Sequence, residues 1–92
     1  MAFTVYIVRC ADRTLYTGIA RDVARRIDEH NGATKKGARY TAARRPVTLV
    51  YAATCATRSE ALREEARIKR LDRAAKERLI VAGYAGAHRS AE

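Results

Sequence analysis

Two strand-forming runs stand only four residues apart at the start of the chain, and this closeness constrains the fold more than any other feature of the sequence. Phe3 to Cys10 is rich in β-branched and aromatic side chains and contains no breaker; Leu15 to Ile19 repeats that character after Ala11-Asp12-Arg13-Thr14. The pair predicts a β-hairpin. Its turn decides which side chains share a face. A two-residue turn puts Tyr6 and Tyr16 on opposite faces. A three-residue loop instead pairs residue 8 with 16 and 6 with 18, which brings both hydroxyls to one face and sets Gly18 opposite Tyr6. A glycine there leaves room for a phosphate or another backbone to come close.

Helical signals follow. From Arg21 to Asn31 the apolar residues Val23, Ala24 and Ile27 recur at helical spacing, and Gly32 stands where a C-terminal cap belongs. Residues 32–45 carry two glycines and a basic cluster and read as a loop, after which Pro46 opens a third strand, Val47 to Cys55. Thr57-Arg58-Ser59-Glu60 has the form of a capping box, in which Thr57 caps an orphan amide and Glu60 reaches back. It predicts a helix from Arg58 to about Leu71. Asp72 can cap a further helix, Arg73 to Ala82, closed by Gly83, and residues 83–92 are expected to form a flexible tail. The order strand, strand, helix, strand, helix, helix implies a single α+β domain over residues 3–82, a short sheet with helices packed on it.

Ninety-two residues suffice for one hydrophobic core and not for two. Nineteen Lys and Arg against ten Asp and Glu leave a formal charge of +9, which no folding argument requires and which favours a polyanionic partner, nucleic acid first. Fifteen of the nineteen are Arg, whose rigid fork grips a phosphate through two parallel hydrogen bonds. Between Glu29 and Glu60 lie Lys35, Lys36, Arg39, Arg44, Arg45 and Arg58 and no acid, the pattern of a polyanion footprint. No apolar run approaches a membrane span and the N-terminal residues lack the basic region of a signal peptide, so a soluble cytoplasmic protein is expected. Cys10 and Cys55 are too few for a disulfide framework, too isolated for a zinc knuckle, and read as buried thiols.

Two helices carry polar residues where apolar ones are expected. On the helix from Arg58, the side chains Ala61, Leu62, Ile68 and Leu71 form one broad face, and Glu65 falls inside it. An unpaired carboxylate there would cost several kcal/mol by order of magnitude, so Glu65 has either a partner or a function. Glu64 lies nearer the edge of the stripe, and the choice between the two depends on the helical phase. On the first helix Asp22, Arg26 and His30 follow at i, i+4 spacing beside Val23 and Ile27, so Arg26 and His30 can share one pocket. An Arg there stabilises charge on a phosphorane-like transition state, and a His near its neutral pKa orients or deprotonates water. The plainer alternative is a solvated helix edge with an Asp22 to Arg26 ion pair.

Thr4-Val5-Tyr6, then Leu15-Tyr16-Thr17-Gly18, Arg26, His30 and finally Glu65 form a pattern that resembles the GIY-YIG endonuclease superfamily, above all its small single-domain bacterial members. Further matches are Lys36-Gly37-Ala38-Arg39-Tyr40-Thr41, Arg45-Pro46-Val47 and Ala61-Leu62-Arg63-Glu64-Glu65 with Ile68-Lys69. The resemblance spans roughly Phe3 to Ile80. It implies a three-stranded antiparallel sheet flanked by helices, and one divalent metal, Mg²⁺ or Mn²⁺, held by Glu65 for phosphodiester hydrolysis. It likewise implies a catalytic set of Tyr6, Tyr16, Gly18, Arg26, His30 and Glu65. In that set Arg26 faces the scissile phosphate, the tyrosines line the pocket, and Tyr6 or His30 helps to activate water. Lys35, Lys36, Arg39, Tyr40, Arg44 and Arg45 would hold the nucleic-acid backbone, DNA ahead of RNA, in a repair or recombination setting. The chain departs from the pattern in its first triplet, Thr-Val-Tyr, in its second, Tyr-Thr-Gly, and in having Asn31 as its sole asparagine where many relatives carry one late in the domain. The alternatives are a nucleic-acid-binding module with the same fold and little catalysis, and an adaptor to a larger repair or ribosomal assembly acting through Tyr40 and its basic neighbours.

Overall fold

The computed structural model describes residues 2–32 and 39–90, with side chains described for 2–32 and 41–82. Among these residues the strands are β1 (Phe3–Arg9), β2 (Leu15–Ala20) and β3 (Thr48–Cys55). The helices are α1 (Val23–His30), α2 (Arg39–Ala42), α3 (Arg58–Lys69) and α4 (Arg73–Ser90). The sheet is antiparallel with strand order β2-β1-β3, so the first strand is central and the other two are edges. Val5, Tyr6, Ile7 and Val8 are all buried in succession because both faces of β1 are covered. One face carries Val5 and Ile7 into a core with Tyr51 of β3, Ala61 and Ile68 of α3 and Ile80 of α4. The other carries Tyr6 and Val8 against Cys10 and Val47, with Val23 and Ile27 of α1 packed on them. Each of these fully buried aliphatic side chains contributes about 1.5–3 kcal/mol.

The hairpin has the three-residue loop. Arg13 N donates to Cys10 O and Cys10 N to Thr14 O, each at 2.9 Å, and Arg13 takes a left-handed φ of 70°. This is a type I turn closed by one residue of positive φ, and Asp12 Oδ1 braces it by accepting from Thr14 N (3.1 Å) and Thr14 Oγ1 (2.6 Å). Tyr6 therefore pairs with Gly18 and Val8 with Tyr16. Across the other edge, the register shifts between Ile7 and Val8, which face Tyr51 and Leu49, leaving Val50 as the extra residue of a bulge.

The helix ends follow the sequence signals with four differences. Asp22 caps α1 by accepting from Arg25 N at 3.0 Å, so the helix starts at Val23 and not Arg21, and Gly32 has the positive φ of 96° that its C-terminal position requires. The capping box is present, with Glu60 N donating to Thr57 Oγ1 and Glu60 Oε1 accepting from Thr57 N, both at 3.1 Å. α3 ends at Lys69, two residues short of Leu71, because Arg70 N and Leu71 N turn back to Arg67 O and Ile68 O in the tighter i, i+3 pattern. The segment expected to be all loop contains α2. α4 begins on the Asp72 cap, whose Oδ1 accepts from Ala75 N at 2.8 Å, but runs through Gly83 to Ser90. A glycine in a helix interior costs only about 1 kcal/mol against alanine, too little to stop a helix whose neighbours are Ala82, Tyr84 and Ala85.

Candidate active site

Alternation along the hairpin brings Tyr6, Tyr16 and Gly18 to the α1 face of the sheet, while Phe3 and Ile19 point to the α3 face. β2 is an edge, and a cleft of about 470 Å³ wraps around it, so side chains from both faces line one space. Tyr6, Tyr16, Gly18 and Arg26 enter from the α1 side. Phe3, Ile19, Arg58, Leu62 and Glu65 enter from the other, with Ala20 and Arg21 at the end of the strand.

Glu65 comes to the cleft by helical phase. Ala61 and Ile68 of α3 are completely buried under the sheet, and Glu65, between them on the same face, leans past β2 with its side chain 21% exposed. It is paired with Lys69 Nζ at 3.3 Å, an exposed i, i+4 contact worth a few tenths of a kcal/mol. Glu64 faces the β3 side and is held bidentately by Arg67 (2.8 and 2.7 Å), which keeps its carboxyl below the usual range. The phase ambiguity is thus resolved for Glu65. Leu62, expected to be core, is 42% exposed and forms part of the cleft wall.

Gly18 serves a different purpose from the one its sequence position suggests. A Cβ built there would lie 2.5 Å from the Tyr6 hydroxyl and 2.7 Å from its ring carbon Cζ, so the vacant volume is filled by Tyr6 and not kept open for a phosphate. Laid over Gly18, the Tyr6 ring sends its hydroxyl to His30 Nε2 at 2.7 Å, and His30 Nδ1 lies 2.7 Å from Thr41 Oγ1 of α2. His30 is wholly buried, with Tyr6 and Tyr16 edge-on at centroid distances of 5.9 and 5.2 Å. Burial, with the nearby Arg26 and Arg45 charges, holds its pKa below 6.5 against the opposing pull of Glu29, so the imidazole is neutral at pH 7. Burial pushes the Tyr6 hydroxyl up, opposed by a hydrogen bond from Arg26 and assisted by Tyr16 and Glu65.

Arg26 and His30 do not share one pocket. Arg26 lines the cleft, whereas His30 is not part of its lining and lies behind Tyr6, whose hydroxyl it meets at 2.7 Å. The Asp22 to Arg26 pair gives way to Arg26 with Glu29, at 2.9 Å, since Asp22 is engaged as the helix cap. Glu29, nearly buried, also draws Arg25 to 3.6 Å and is the acid that aims Arg26. Among the basic candidates, Arg44 Nε lies 3.0 Å from Asp12 Oδ2 in the hairpin turn, and Arg45 Nε donates to His30 O at 2.6 Å. Both are braces of the fold in this arrangement. Arg39 and Tyr40 belong to α2 by backbone, with side chains outside the described residues, as are Lys35 and Lys36 altogether.

Sequence pattern singles out neither Phe3 nor Arg21 of the cleft residues, and marks Arg58 only as the last member of the acid-free basic stretch. The Arg21 guanidinium lies 4.9 Å over the Phe3 ring, a contact made across the end of the hairpin. Arg58 is the first residue of α3, where the helix dipole disfavours a cation, a placement that adds to the signal of the basic stretch. Among the described residues the cleft thus carries three guanidinium groups and one carboxylate, a balance suited to a phosphodiester with room for a cation beside Glu65. Among the described residues no three His, Cys, Asp or Glu side chains converge on a metal-sized point. A lone carboxylate nevertheless fits Mg²⁺ or Mn²⁺, hard cations that keep several waters and complete their shell on substrate phosphate. No helix among the described residues is long and apolar enough to cross a membrane.

Comparison with known proteins agrees with this fold. The family model described as the GIY-YIG catalytic domain matches residues 2–78. A UPF0213 protein of Desulfotalea psychrophila is 56% identical over 85 residues, covering 92% of this chain and 76% of that protein. One from Staphylococcus epidermidis is 52% identical over 79 residues, covering 86% and 94%. The solution NMR structure of a UPF0213 protein from Bacillus halodurans superposes with a TM-score of 0.58 at 43% identity, over 89% of this chain and 85% of that one. A family model matched over residues 2–78 and relatives more than half identical over most of its length settle the point: the chain belongs to the GIY-YIG catalytic-domain family, alongside the small bacterial UPF0213 proteins.

Proposed function

We propose that this protein is a divalent-metal-dependent endonuclease that hydrolyses phosphodiester bonds in DNA during repair or recombination. The observation that carries the reading is the cleft at the β2 edge, where Glu65 faces Tyr6, Tyr16 and Arg26. Glu65 would hold the cation, which would supply Lewis-acid polarisation of the phosphoryl oxygen. Arg26, aimed by Glu29, donates to the non-bridging oxygens and offsets the charge that builds on them. Tyr6 accepts a proton from the attacking water as its own hydroxyl proton passes to His30 Nε2, 2.7 Å away, which is free to take it because the imidazole rests neutral. Tyr16 and Gly18 fix the position of the Tyr6 ring. Lys35, Lys36, Arg39, Tyr40, Arg44 and Arg45 remain proposed contacts to the nucleic-acid backbone.

A second reading, a binding module with little catalysis, is favoured by the placement of the chain's sole asparagine. Asn31 accepts from Val47 N (2.6 Å) and donates to Val47 O (3.1 Å), so it serves the fold and not the cleft. Labelled single-stranded, duplex, nicked and branched DNAs and matching RNAs, incubated with Mg²⁺, Mn²⁺ or chelator, separate the two. Products that need the metal and vanish in folded Glu65→Gln are expected. Binding without products in either protein would sink the enzyme and leave the module.

A further inference from the structure

Thr41 is completely buried and its hydroxyl meets His30 Nδ1, so the chain of contacts that starts at Arg26 in the cleft runs through Tyr6 and His30 and ends on α2. A neutral imidazole has one N–H and one lone pair, and its two partners decide which nitrogen holds which. Tyr6 is held by a hydrogen bond from Arg26, and its oxygen lies 2.7 Å from Nε2. The arrangement in which Tyr6 gives its O–H to Nε2 leaves Nδ1 with the hydrogen and Thr41 Oγ1, 2.7 Å away, as the group that receives it. We propose that Thr41 is a positioning residue of the site: by accepting the Nδ1 hydrogen it fixes the tautomer in which Nε2 can take the Tyr6 proton.

The surrounding backbone supports this role. Arg44 N donates to Thr41 O at 3.0 Å, and Arg45, one residue on, donates through Nε to His30 O at 2.6 Å. The end of α1 and the end of α2 are thereby clamped on either side of the His30 to Thr41 contact. Thr41 has the same role before and after proton transfer, since an imidazolium also donates from Nδ1. When the proton reaches Nε2 the ring becomes cationic, and the Thr41 oxygen remains its acceptor. Because Arg39 and Tyr40 share α2 with Thr41, the element that orients the imidazole also carries proposed contacts to the nucleic acid.

The tautomer belongs to the resting fold, and only its effect on turnover rests on the nuclease reading, so two readouts separate the claims. Imidazole ¹⁵N shifts of wild type, Thr41→Ser and Thr41→Val read the tautomer without any substrate. The first two are expected to show Nδ1 protonated and Nε2 bare, and Thr41→Val to populate the Nε2–H form. Under the cleavage assay, Thr41→Val should lower kcat by roughly tenfold or more with KM little changed, and Thr41→Ser should recover it within a few-fold. An Nε2–H tautomer in the wild type overturns the proposal, and so does an unchanged tautomer in Thr41→Val. Should Thr41→Val fail to fold, the wild-type and Thr41→Ser spectra still decide the tautomer. If the tautomer is as stated and no protein cleaves, the nuclease reading fails and the assignment of Thr41 to His30 stands.

Discussion

Gly18 has no side chain because Tyr6 occupies the place of one. With the built Cβ 2.5 Å from the Tyr6 hydroxyl and 2.7 Å from Cζ, Gly18→Ala must move the ring, and with it the contact to His30. Overpacking of this kind costs about 1–3 kcal/mol, to be read from urea unfolding, and cleavage should fall further than binding because the displaced group belongs to the chemistry. His30 adds a pH dependence. Its folded pKa lies below the ordinary 6.5, so below pH 6.5 the unfolded chain takes up a proton that the native ring refuses, and stability falls as pH falls. Thermal melts should show that decline setting in near pH 6.5 in wild type, and it should be missing from His30→Gln. Both residues could be singled out from spacing, since a three-residue loop alone puts Gly18 opposite Tyr6. Their roles could not, because the tyrosine ring over the glycine and the hydroxyl on Thr41 are meetings of distant segments that no local pattern encodes.

At the scale of elements, two contacts hold the layers in register. Asn31 ends α1 and clasps both backbone groups of Val47 at the entry to β3, so Asn31→Ala strands an N–H in a nearly buried place. A loss of about 1–3 kcal/mol is expected in denaturant unfolding, with the midpoint shifted and the slope unchanged. On the other side of the sheet, Arg9 of β1 holds Glu77 of α4 through two bonds of 2.8 and 2.7 Å, and Arg73 adds a third at 2.9 Å. The Arg9 hydrogen bonds, followed by that of Arg73, bring the Glu77 carboxyl down to about 2. A depressed carboxyl stabilises the fold above its ordinary value of 4.5, and that contribution drains away as pH falls from 4.5 to about 2. Acid unfolding followed by circular dichroism should be steep in that window, and shallower in Glu77→Gln. Element order was readable because α1 has Val23, Ala24 and Ile27 at helical spacing and the starts of α3 and α4 carry cap residues in Thr57 and Asp72. The ends were less so. Gly83 looks like a stop but lies in a run of helix formers, and α2 is too short to carry a period.

Over the whole molecule the charge of +9 has to be read by place and not by total. Of the six basic residues in the acid-free stretch between Glu29 and Glu60, Arg44 and Arg45 contact Asp12 and the His30 carbonyl, whereas Arg58 lines the cleft. The cleft joins Arg58 to Arg21 and Arg26 from a separate part of the chain, which is why counting along the sequence undervalues it. Of these, Arg26 is neutralised by Glu29, whereas Arg58 is exposed at the start of α3, beside Leu62 and on the same side of the cleft as Glu65. If Arg58 meets a phosphate, it releases about one condensed counterion, and the slope of log affinity against log salt should shrink by about 0.9 for duplex or about 0.7 for single strands in Arg58→Ala. Arg78 provides the control, because it lies on α4 beside Val81 and away from the β2 edge, and its loss changes the net charge by the same amount. Binding titrations in chelator, where no cleavage intervenes, should give Arg78→Ala the wild-type slope. Equal slopes for both variants would mean that affinity follows total charge and that the cleft is not where the backbone lies. A slope altered by Arg58→Ala alone would put a phosphate on the side of the cleft from which Glu65 enters.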